Sequence, residues 1–214
     1  MKIIGITDIH GRANIPKAVA QALAETDLIL IAGDITNFGG KEETKIVMNA
    51  MRNFNEKILA VPGNCDHQEV IEELKSEGIN LHGEIRRIDT MVVFGIGGSG
   101  YTPFNTPQEY SDSEIERILE IFKKEKTDSI KILVSHSPPL GTSTDRTMLG
   151  IHAGNGVIRK FITDYQPDLC LCGHIHEARG TDKIGKTIII NPGPFPKFYV
   201  EIEITDKIRF SLKA

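Results

Sequence analysis

The residues of this sequence that suit metal or phosphate chemistry stand in five short motifs, each directly after an apolar run. The motifs are "TDIHG" (7–11), "AGDIT" (32–36), "PGNCD" (62–66), "VSHSPP" (134–139) and "CGHIH" (172–176). They supply seven candidate metal ligands: Asp8, His10, Asp34, Asn64, His136, His174 and His176. Any one of them is more often a cap or a surface group than a ligand, but their recurrence after five apolar runs indicates a shared site.

The types of these side chains indicate a dinuclear metal centre. Two carboxylates, four imidazoles and one amide exceed the ligand set of one tetrahedral zinc and suit two ions in five- or six-fold coordination. In such centres a carboxylate often bridges ions that lie about 4 Å apart, and the ions bind a phosphate and generate hydroxide from water near neutral pH.

Short apolar runs predict the strands that position these residues. The runs "KIIGIT", "LILIA", "KILAV", "MVVFGI", "IKILVS", "DLCLC" and "TIIIN" are almost continuously apolar, which is typical of strands covered on both faces. Helical patterns lie between several of them, and the clearest begins at Ser111, where Glu114 completes a capping-box pattern. Near the C-terminus "KFYVEIEI" and "KIRFSL" predict an antiparallel hairpin. We expect an α/β fold in which the carboxyl ends of neighbouring strands bring the motifs together.

Length, composition and charge narrow the class of protein. The 214 residues predict one domain over 1–214, with 40% hydrophobic and 25% charged residues, as in ordinary globular proteins. The net charge of −4 and the lack of long Lys/Arg clusters argue against an extended nucleic-acid interface. Three sparse cysteines, no signal-peptide pattern and no apolar run of membrane-spanning length favour a cytoplasmic protein without a membrane partner.

In their order, the five motifs resemble the signature of the calcineurin-like metallophosphoesterase superfamily: D-x-H, G-D, G-N-H-D/E, a lone His and G-H-x-H. The resemblance runs from Asp8 to His176, and "NPGP" at 191–194 looks like an Asn-Pro-Gly element that often follows in bacterial and archaeal members. It implies a four-layer α/β/β/α sandwich, which fits the strands and helices predicted above.

The resemblance also implies a ligand set and a reaction. Asp8, His10 and His176 would bind one metal ion, Asn64, His136 and His174 the other, and Asp34 would bridge them. The implied reaction is in-line attack on phosphorus of a small phosphorylated substrate by metal-activated water or hydroxide. We expect two divalent ions, with Mn²⁺ preferred and Fe, Ni²⁺ or Zn²⁺ as alternatives, because mixed nitrogen and oxygen sites admit all of them.

One position departs from the family pattern. Where the family has G-N-H-D/E, this sequence has "GNCD", so Cys65 replaces the histidine that is commonly assigned to protonate the leaving oxygen. General acid catalysis is worth about 10²- to 10⁴-fold in rate, and a thiol is a poor donor near neutral pH. Small prokaryotic members with a similar motif are associated with phosphodiesterase activity, so we predict a phosphodiesterase acting on a cyclic or small nucleotide-like substrate.

Three alternatives remain open at this point. The same metals would serve a phosphomonoesterase or a nucleotide pyrophosphatase, with His152 or His67 as the acid. A non-catalytic scaffold of the same fold is the third, but scaffold members have lost metal ligands, whereas all seven positions are filled here. Self-association is also left open.

Residues near the motifs are candidates for catalysis and substrate contact. The predicted catalytic set is Asp34, Asn64, Asp66 and His152, and the predicted substrate-binding set is Arg12, Asn37, Cys65, His152 and Asn155. Simpler interpretations compete with several of these. Asn155 fits an ordinary helix cap, Arg12 an exposed residue before a helix, and His67 a solvated helix start. Asn37 and Thr36 are predicted to orient the Asp34 carboxylate, and Cys170 and Cys172 to be buried packing residues.

Overall fold

A computed structural model describes residues 1–125 and 129–214, which contain both strands and α-helices. The strands are β1 (Lys2–Ile6), β2 (Leu28–Ala32), β3 (Ile58–Val61), β4 (Ile85–Ile88), β5 (Met91–Ile96), β6 (Ile130–Ser135), β7 (Leu169–Leu171), β8 (Gly180–Ile184), β9 (Thr187–Asn191), β10 (Tyr199–Ile204) and β11 (Ile208–Lys213). The helices are α1 (Lys17–Ala24), α2 (Lys41–Arg52), α3 (Gln68–Ser76), α4 (Asp112–Lys123) and α5 (Gly156–Tyr165).

These strands form two sheets in the described part of the chain. The first has the order β11-β10-β1-β2-β3, with β1, β2 and β3 parallel and the β10–β11 hairpin antiparallel at one edge. The second has the order β4-β5-β6-β7-β9-β8, in which β5, β6, β7 and β9 are parallel and antiparallel strands stand at both edges. The seven apolar runs and the C-terminal hairpin are all strands, which confirms those predictions.

Three apolar cores give the fold its four layers. Side chains such as Leu30, Val134 and Ile202 pack between the two sheets. The outer face of the first sheet is covered by α1, α2 and α3, and that of the second sheet by α4 and α5. The predicted α/β/β/α sandwich is therefore confirmed. Its inner strands are continuously apolar because both of their faces are buried.

Other predictions about local structure have mixed outcomes. Cys170 and Cys172 are buried in the core beneath α4 and α5, and the capping box of α4 is present, so both predictions are confirmed. Sequence analysis missed the edge strands β4 and β8, whose sequences "IRRI" and "GTDKI" lack an apolar run because they are only partly buried. Within the described residues, no helix combines the length and apolarity needed to cross a bilayer.

A half-buried histidine connects the segment after α3 to the end of β5. His82 Nδ1 accepts a hydrogen bond from the backbone N–H of Gly97 at 3.0 Å, and its ring lies 5.5 Å from that of Tyr110. Burial, aided by the charge of Lys75, lowers the pKa of His82 to about 4. The imidazole is therefore neutral at physiological pH, as its role as an acceptor requires.

The low pKa of His82 predicts a contribution to acid sensitivity. The unfolded chain takes up a proton at this residue near pH 6.5, whereas the folded chain does so only near pH 4. The stabilising contribution is therefore complete above pH 6.5 and decreases as the pH falls from 6.5 towards 4. We expect the free energy of unfolding, measured by urea denaturation of the metal-free protein, to fall less over this range in His82→Gln than in the unaltered chain. The control is His67→Gln, which removes an exposed histidine; an equal change in both variants would contradict the prediction.

Candidate metal centre

The five motifs meet at one edge of the sandwich, where β1, β2, β3, β6 and β7 end. Four of the candidate ligands have a left-handed backbone: φ is 53° at Asp8, 48° at His10, 48° at Asp34 and 68° at His174. This conformation is uncommon for residues other than glycine and costs about 1–3 kcal/mol where it occurs. Such residues cluster at functional sites, where the surrounding structure holds them in place.

Hydrogen bonds connect the strand ends to one another. Asp8 N donates to Gly33 O at 3.0 Å and His10 N to Asp34 O at 2.8 Å, which joins the segments after β1 and β2. His174 N donates to Asp8 Oδ1 at 3.2 Å, which joins β1 to the segment after β7. The candidate ligands that follow the strands of the two sheets therefore belong to one hydrogen-bond network.

Asp8, His10 and His176 form the first group of possible ligands. His10 Nε2 lies 3.1 Å from His176 Nε2, and His176 Nε2 lies 3.4 Å from Asp8 Oδ1. Their ligand atoms all lie within 4.8 Å of one another. Among the described residues, the buried Asp8 Oδ2 has no hydrogen-bond partner. A buried carboxylate oxygen without a donor is costly, and a cation would satisfy it.

Asn64, His136 and His174 form the second group. His136 Nδ1 lies 2.8 Å from Ala32 O, so this nitrogen carries the proton and the lone pair of a neutral ring is on Nε2. That atom lies 2.9 Å from Asn64 Oδ1, while Asn64 Nδ2 donates to Thr106 Oγ1 at 3.1 Å. Two acceptors therefore face each other, which favours a cation between them. The His174 ring is centred 5.1 Å from that of His136.

The Asp34 carboxylate lies between the two groups. Its Oδ2 is 3.6 Å from His10 Nε2 and its Oδ1 is 3.4 Å from His136 Nε2. The side chain is almost fully buried. One carboxylate that reaches a nitrogen of each group with a different oxygen has the arrangement expected of a bridging ligand.

The pKa shifts of three candidate ligands, His10, His174 and Asp8, suit metal binding. Burial lowers the pKa of His10, and burial together with the nearby His136 lowers that of His174 to about 4. Burial alone would raise the pKa of Asp8, but its hydrogen bond with His176 and the nearby imidazoles lower it. Metal ions require neutral imidazoles and ionised carboxylates, so these three shifts fit divalent ions. The hydrogen bond with Asp8 raises the pKa of His176, and a metal ion would have to displace that proton.

Two glycines are needed here because neighbouring segments of the chain approach each other closely. A Cβ at Gly173 would lie 1.8 Å from Thr7 Oγ1 and 2.8 Å from Asp8 Oδ2. A Cβ at Gly63 would lie 1.9 Å from Asp34 Oδ1. Each of these glycines therefore makes room for a side chain of another motif.

Asp66, predicted to be catalytic, is a fully buried carboxylate that accepts four hydrogen bonds. Its Oδ2 accepts from Ile35 N at 3.0 Å and Gly63 N at 2.7 Å, and its Oδ1 accepts from the N–H and the hydroxyl of Thr36, both at 2.7 Å. Burial and the charge of Asp34 raise the pKa of Asp66 to about 6. The contacts give Asp66 a positioning role for the segments that carry Asp34 and Asn64.

The predicted orientation of Asp34 by Thr36 and Asn37 is replaced by a different arrangement. The Thr36 hydroxyl donates to Asp66, and Asn37 is exposed, with its backbone N–H donating to Glu43 Oε1 at 3.2 Å. Asp34 Oδ1 instead accepts from the backbone N–H of Cys65 at 2.9 Å. A backbone donor of this kind has no signature in the sequence.

Cys65 and Arg12 lie near the first group. The Cys65 thiol is within 4.8 Å of the ligand atoms of His10 and Asp34, and burial and the Asp34 charge raise its pKa. Arg12 is exposed, and its guanidinium donates to Phe195 O at 3.2 Å. Arg12 is thus attached to the segment after β9.

The remaining candidates lie outside the two ligand groups. His152 Nδ1 lies 2.7 Å from Oδ1 of Asp145, a fully buried carboxylate that sequence analysis missed. Asp145 also accepts from the backbone N–H groups of Gly141, Thr142 and Gly154. Asn155 caps α5 by accepting from Val157 N and Ile158 N, and His67 is the cap residue of α3. The spacing of Thr142 and Asp145 is a capping-box pattern that could have indicated this carboxylate, whereas its contact with His152 forms only when the loop folds.

Comparison with known proteins identifies the family. The family model of the calcineurin-like phosphoesterases matches residues 1–178. The chain belongs to this family. As a calcineurin-like phosphoesterase, it is a member of a group of phosphoric ester hydrolases, and its motifs supply the candidate metal ligands described above.

Known proteins are similar to this calcineurin-like phosphoesterase over most of its length. An uncharacterised protein of Methanocaldococcus jannaschii is 44% identical over 91% of this chain and 88% of its own. A probable glycerophosphodiester phosphodiesterase of Arcobacter nitrofigilis is 24% identical over 83% of this chain and 66% of its own. The crystal structure of TT1561 of Thermus thermophilus superposes with a TM-score of 0.74 at 17% identity, covering 98% of this chain and 97% of its own, which shows the shared fold.

The close approach at Gly173 predicts a loss of metal in Gly173→Ala. The added Cβ would overlap Thr7 Oγ1, so the backbone must move and displace His174. We expect less bound metal per chain after dialysis, measured by inductively coupled plasma mass spectrometry. The matched control is Gly180→Ala, whose Cβ would have its nearest neighbour at 3.9 Å and should leave the metal content unchanged. Full metal content in Gly173→Ala would contradict the inferred steric overlap between the added Cβ and Thr7.

Proposed function

We propose that this calcineurin-like phosphoesterase binds two divalent metal ions, preferably Mn²⁺, and hydrolyses small phosphodiesters of the cyclic or nucleotide-like class. The observation that carries the proposal is the position of Asp34 between the two ligand groups, with one carboxylate oxygen directed to each. The relationship to a probable glycerophosphodiester phosphodiesterase supports diester chemistry. The net charge of −4 supports a small substrate over an extended nucleic acid, and the three sparse cysteines support a cytoplasmic location.

The residues of the chain prepare the site for this reaction. Bound divalent ions would supply Lewis-acid stabilisation of the phosphoryl oxygens and a nucleophile derived from water. Asp8, His10 and His176 would hold one ion, Asn64, His136 and His174 the other, and Asp34 both. The Cys65 N–H fixes one Asp34 oxygen at 2.9 Å, and the Asp66 carboxylate fixes the turns on either side. Catalysis by such a site depends on this preorganisation.

Cys65 supports a preference for diesters that need little acid assistance. Burial, reinforced by Asp34, raises the pKa of its thiol, so the thiol keeps its proton at neutral pH. A donor of this kind gives little help to a departing alkoxide. Esters whose leaving groups are stable as anions should therefore react fastest, and an aryl diester, which releases a phenolate, meets that condition better than an ester that releases a simple alkoxide.

A specific observation favours a second candidate, a phosphomonoesterase. His152 is paired through Nδ1 with the buried Asp145 carboxylate, and 44% of its side-chain surface is exposed. A histidine oriented by a carboxylate in this way is the usual form of a general acid. If His152 reaches the leaving oxygen, monoesters with poorer leaving groups become substrates.

The bridging position of Asp34 predicts the effect of Asp34→Asn. An amide cannot offer an anionic oxygen to each ion, so we expect bound metal to decrease and hydrolysis of bis(p-nitrophenyl) phosphate with added Mn²⁺ to fall by more than about 100-fold. The control is Asp206→Asn, at an exposed turn between β10 and β11. Unchanged turnover and metal content in Asp34→Asn would overturn the proposed centre.

Substrate preference separates the two candidate functions. For the phosphodiesterase, kcat/KM for bis(p-nitrophenyl) phosphate should exceed that for p-nitrophenyl phosphate, and His152→Asn should change both by less than about tenfold. A faster monoester reaction that falls about 10²- to 10⁴-fold in His152→Asn would establish the second candidate instead. The paired variant Asp145→Asn should then show the same loss, because it removes the partner that orients the imidazole.

A further inference from the structure

A cavity of about 430 Å³ lies beside His174, between the two loops that follow β5 and β6. We call it the tyrosine cavity; its walls include Tyr101, Tyr110, Asp112, Ser137, Asn155 and His174. Two larger cavities, of about 590 and 700 Å³, are lined by other parts of the molecule and by none of the seven candidate ligands. The tyrosine cavity is thus the one of these three that opens beside the candidate metal centre.

The walls of the tyrosine cavity include one tightly packed aromatic ring and one exposed aromatic ring. Tyr110 donates its hydroxyl hydrogen bond to Gln108 Oε1 at 3.1 Å, and its ring is so close to Gly98 that a Cβ there would lie 2.4 Å from Tyr110 Cε2. Tyr101 is 76% exposed, although it is a large aromatic side chain. An exposed ring at the entrance of a cavity is suited to stacking against a planar group.

The described side chains around the tyrosine cavity offer no cation for a second phosphate group. None of the described residues that line it is a lysine or arginine, and the one formal charge among them at neutral pH is the exposed Asp112 carboxylate. The side-chain oxygen of Asn155 is already engaged by two N–H groups of α5. An anionic group would therefore meet repulsion from Asp112 without a cation to offset it. The cavity suits an uncharged group.

The size of the tyrosine cavity is within the range of about 300–1,000 Å³ that holds small ligands. A base or aryl ring fits such a volume, whereas a folded macromolecule does not. Because His174 belongs both to this wall and to the second ligand group, a phosphoryl group at the metal centre would place one of its ester groups at the cavity entrance.

We propose that the tyrosine cavity binds the uncharged ring of one esterifying alcohol, with Tyr101 as the stacking residue. The substrates are then phosphodiesters of the aryl or nucleoside class, and diphosphates are poor substrates because their second phosphate would lie beside Asp112. This assignment rests on the proposed function, since it takes the metal centre as the place of the phosphoryl group.

Fluorescence gives a test that does not depend on turnover. The chain contains no tryptophan, so Tyr101→Trp introduces a single indole at the cavity entrance. In the manganese-loaded protein, adenosine should quench this indole saturably, whereas ribose, which lacks the ring, should not. The matched control is Phe104→Trp, three residues further along the same loop, where the native side chain is 81% exposed and lies outside the cavity walls. An equal response of both indoles, or none in Tyr101→Trp, would overturn the proposal.

Kinetics gives the second test. In Tyr101→Ala, the KM for bis(p-nitrophenyl) phosphate should rise about 5- to 100-fold through the loss of stacking, with bound metal unchanged. Tyr101→Phe keeps the ring and should retain the KM of the unaltered protein, as should Phe104→Ala. If the unaltered protein hydrolyses the diester and Tyr101→Ala has the same KM, the cavity assignment is wrong and the proposed function stands. If no ester is hydrolysed while adenosine still quenches the indole, the proposed function is wrong and the binding site stands.

Discussion

The arrangement of the candidate metal centre depends on a buried carboxylate that is not one of its ligands. Asp66 accepts hydrogen bonds from the N–H groups of Ile35 and Gly63, so one side chain holds the segments after β2 and β3 in fixed positions. Those segments carry Asp34 and Asn64. Burying a carboxylate without partners would cost several kcal/mol, but four donors offset that cost, and the result is a rigid connection between two neighbouring strand ends. Removing this carboxylate would leave the N–H groups unpaired and release both ligands together.

The same edge of the sandwich contains backbone strain that the rest of the fold must offset. Asp8, His10, Asp34 and His174 all have positive φ, and each such residue costs on the order of 1–3 kcal/mol. The compensation comes from the apolar layers, in which almost every residue of β1, β2 and β3 is buried. Each sharp reversal occurs directly after a strand with two covered faces. A strained turn is therefore attached to the most firmly packed part of the chain, and this connection fixes the ligand directions.

This connection explains how much was predictable from the sequence. A ligand directly after a buried strand has two local signals, an apolar run and a polar residue at its end, so all seven candidates were found before their contacts were known. The edge strands β4 and β8 lack an apolar run and so had no local signal. Asp145 had only the capping-box spacing from Thr142, which does not indicate its contact with His152. The contact of Gly173 with Thr7 depends on the packing of β1 against β7, which no local spacing encodes.

Binding of the phosphoryl group and recognition of the alcohol are assigned to different parts of the fold, the strand ends and the loops. The candidate ligands that would bind a phosphoryl group through metal ions are fixed to strands, whereas Tyr101 and Asp112 belong to the loop between β5 and α4 and its junction with that helix. Within the tyrosine cavity, His174 is the one candidate ligand among the described lining residues, so the loops can change in sequence without removing the other six. Two dications attract phosphate monoesters and diesters alike, because both are anions at neutral pH. Selectivity for the alcohol must therefore arise away from the ions, and in the proposal above it arises in the tyrosine cavity, where no lysine or arginine stands among the described lining residues.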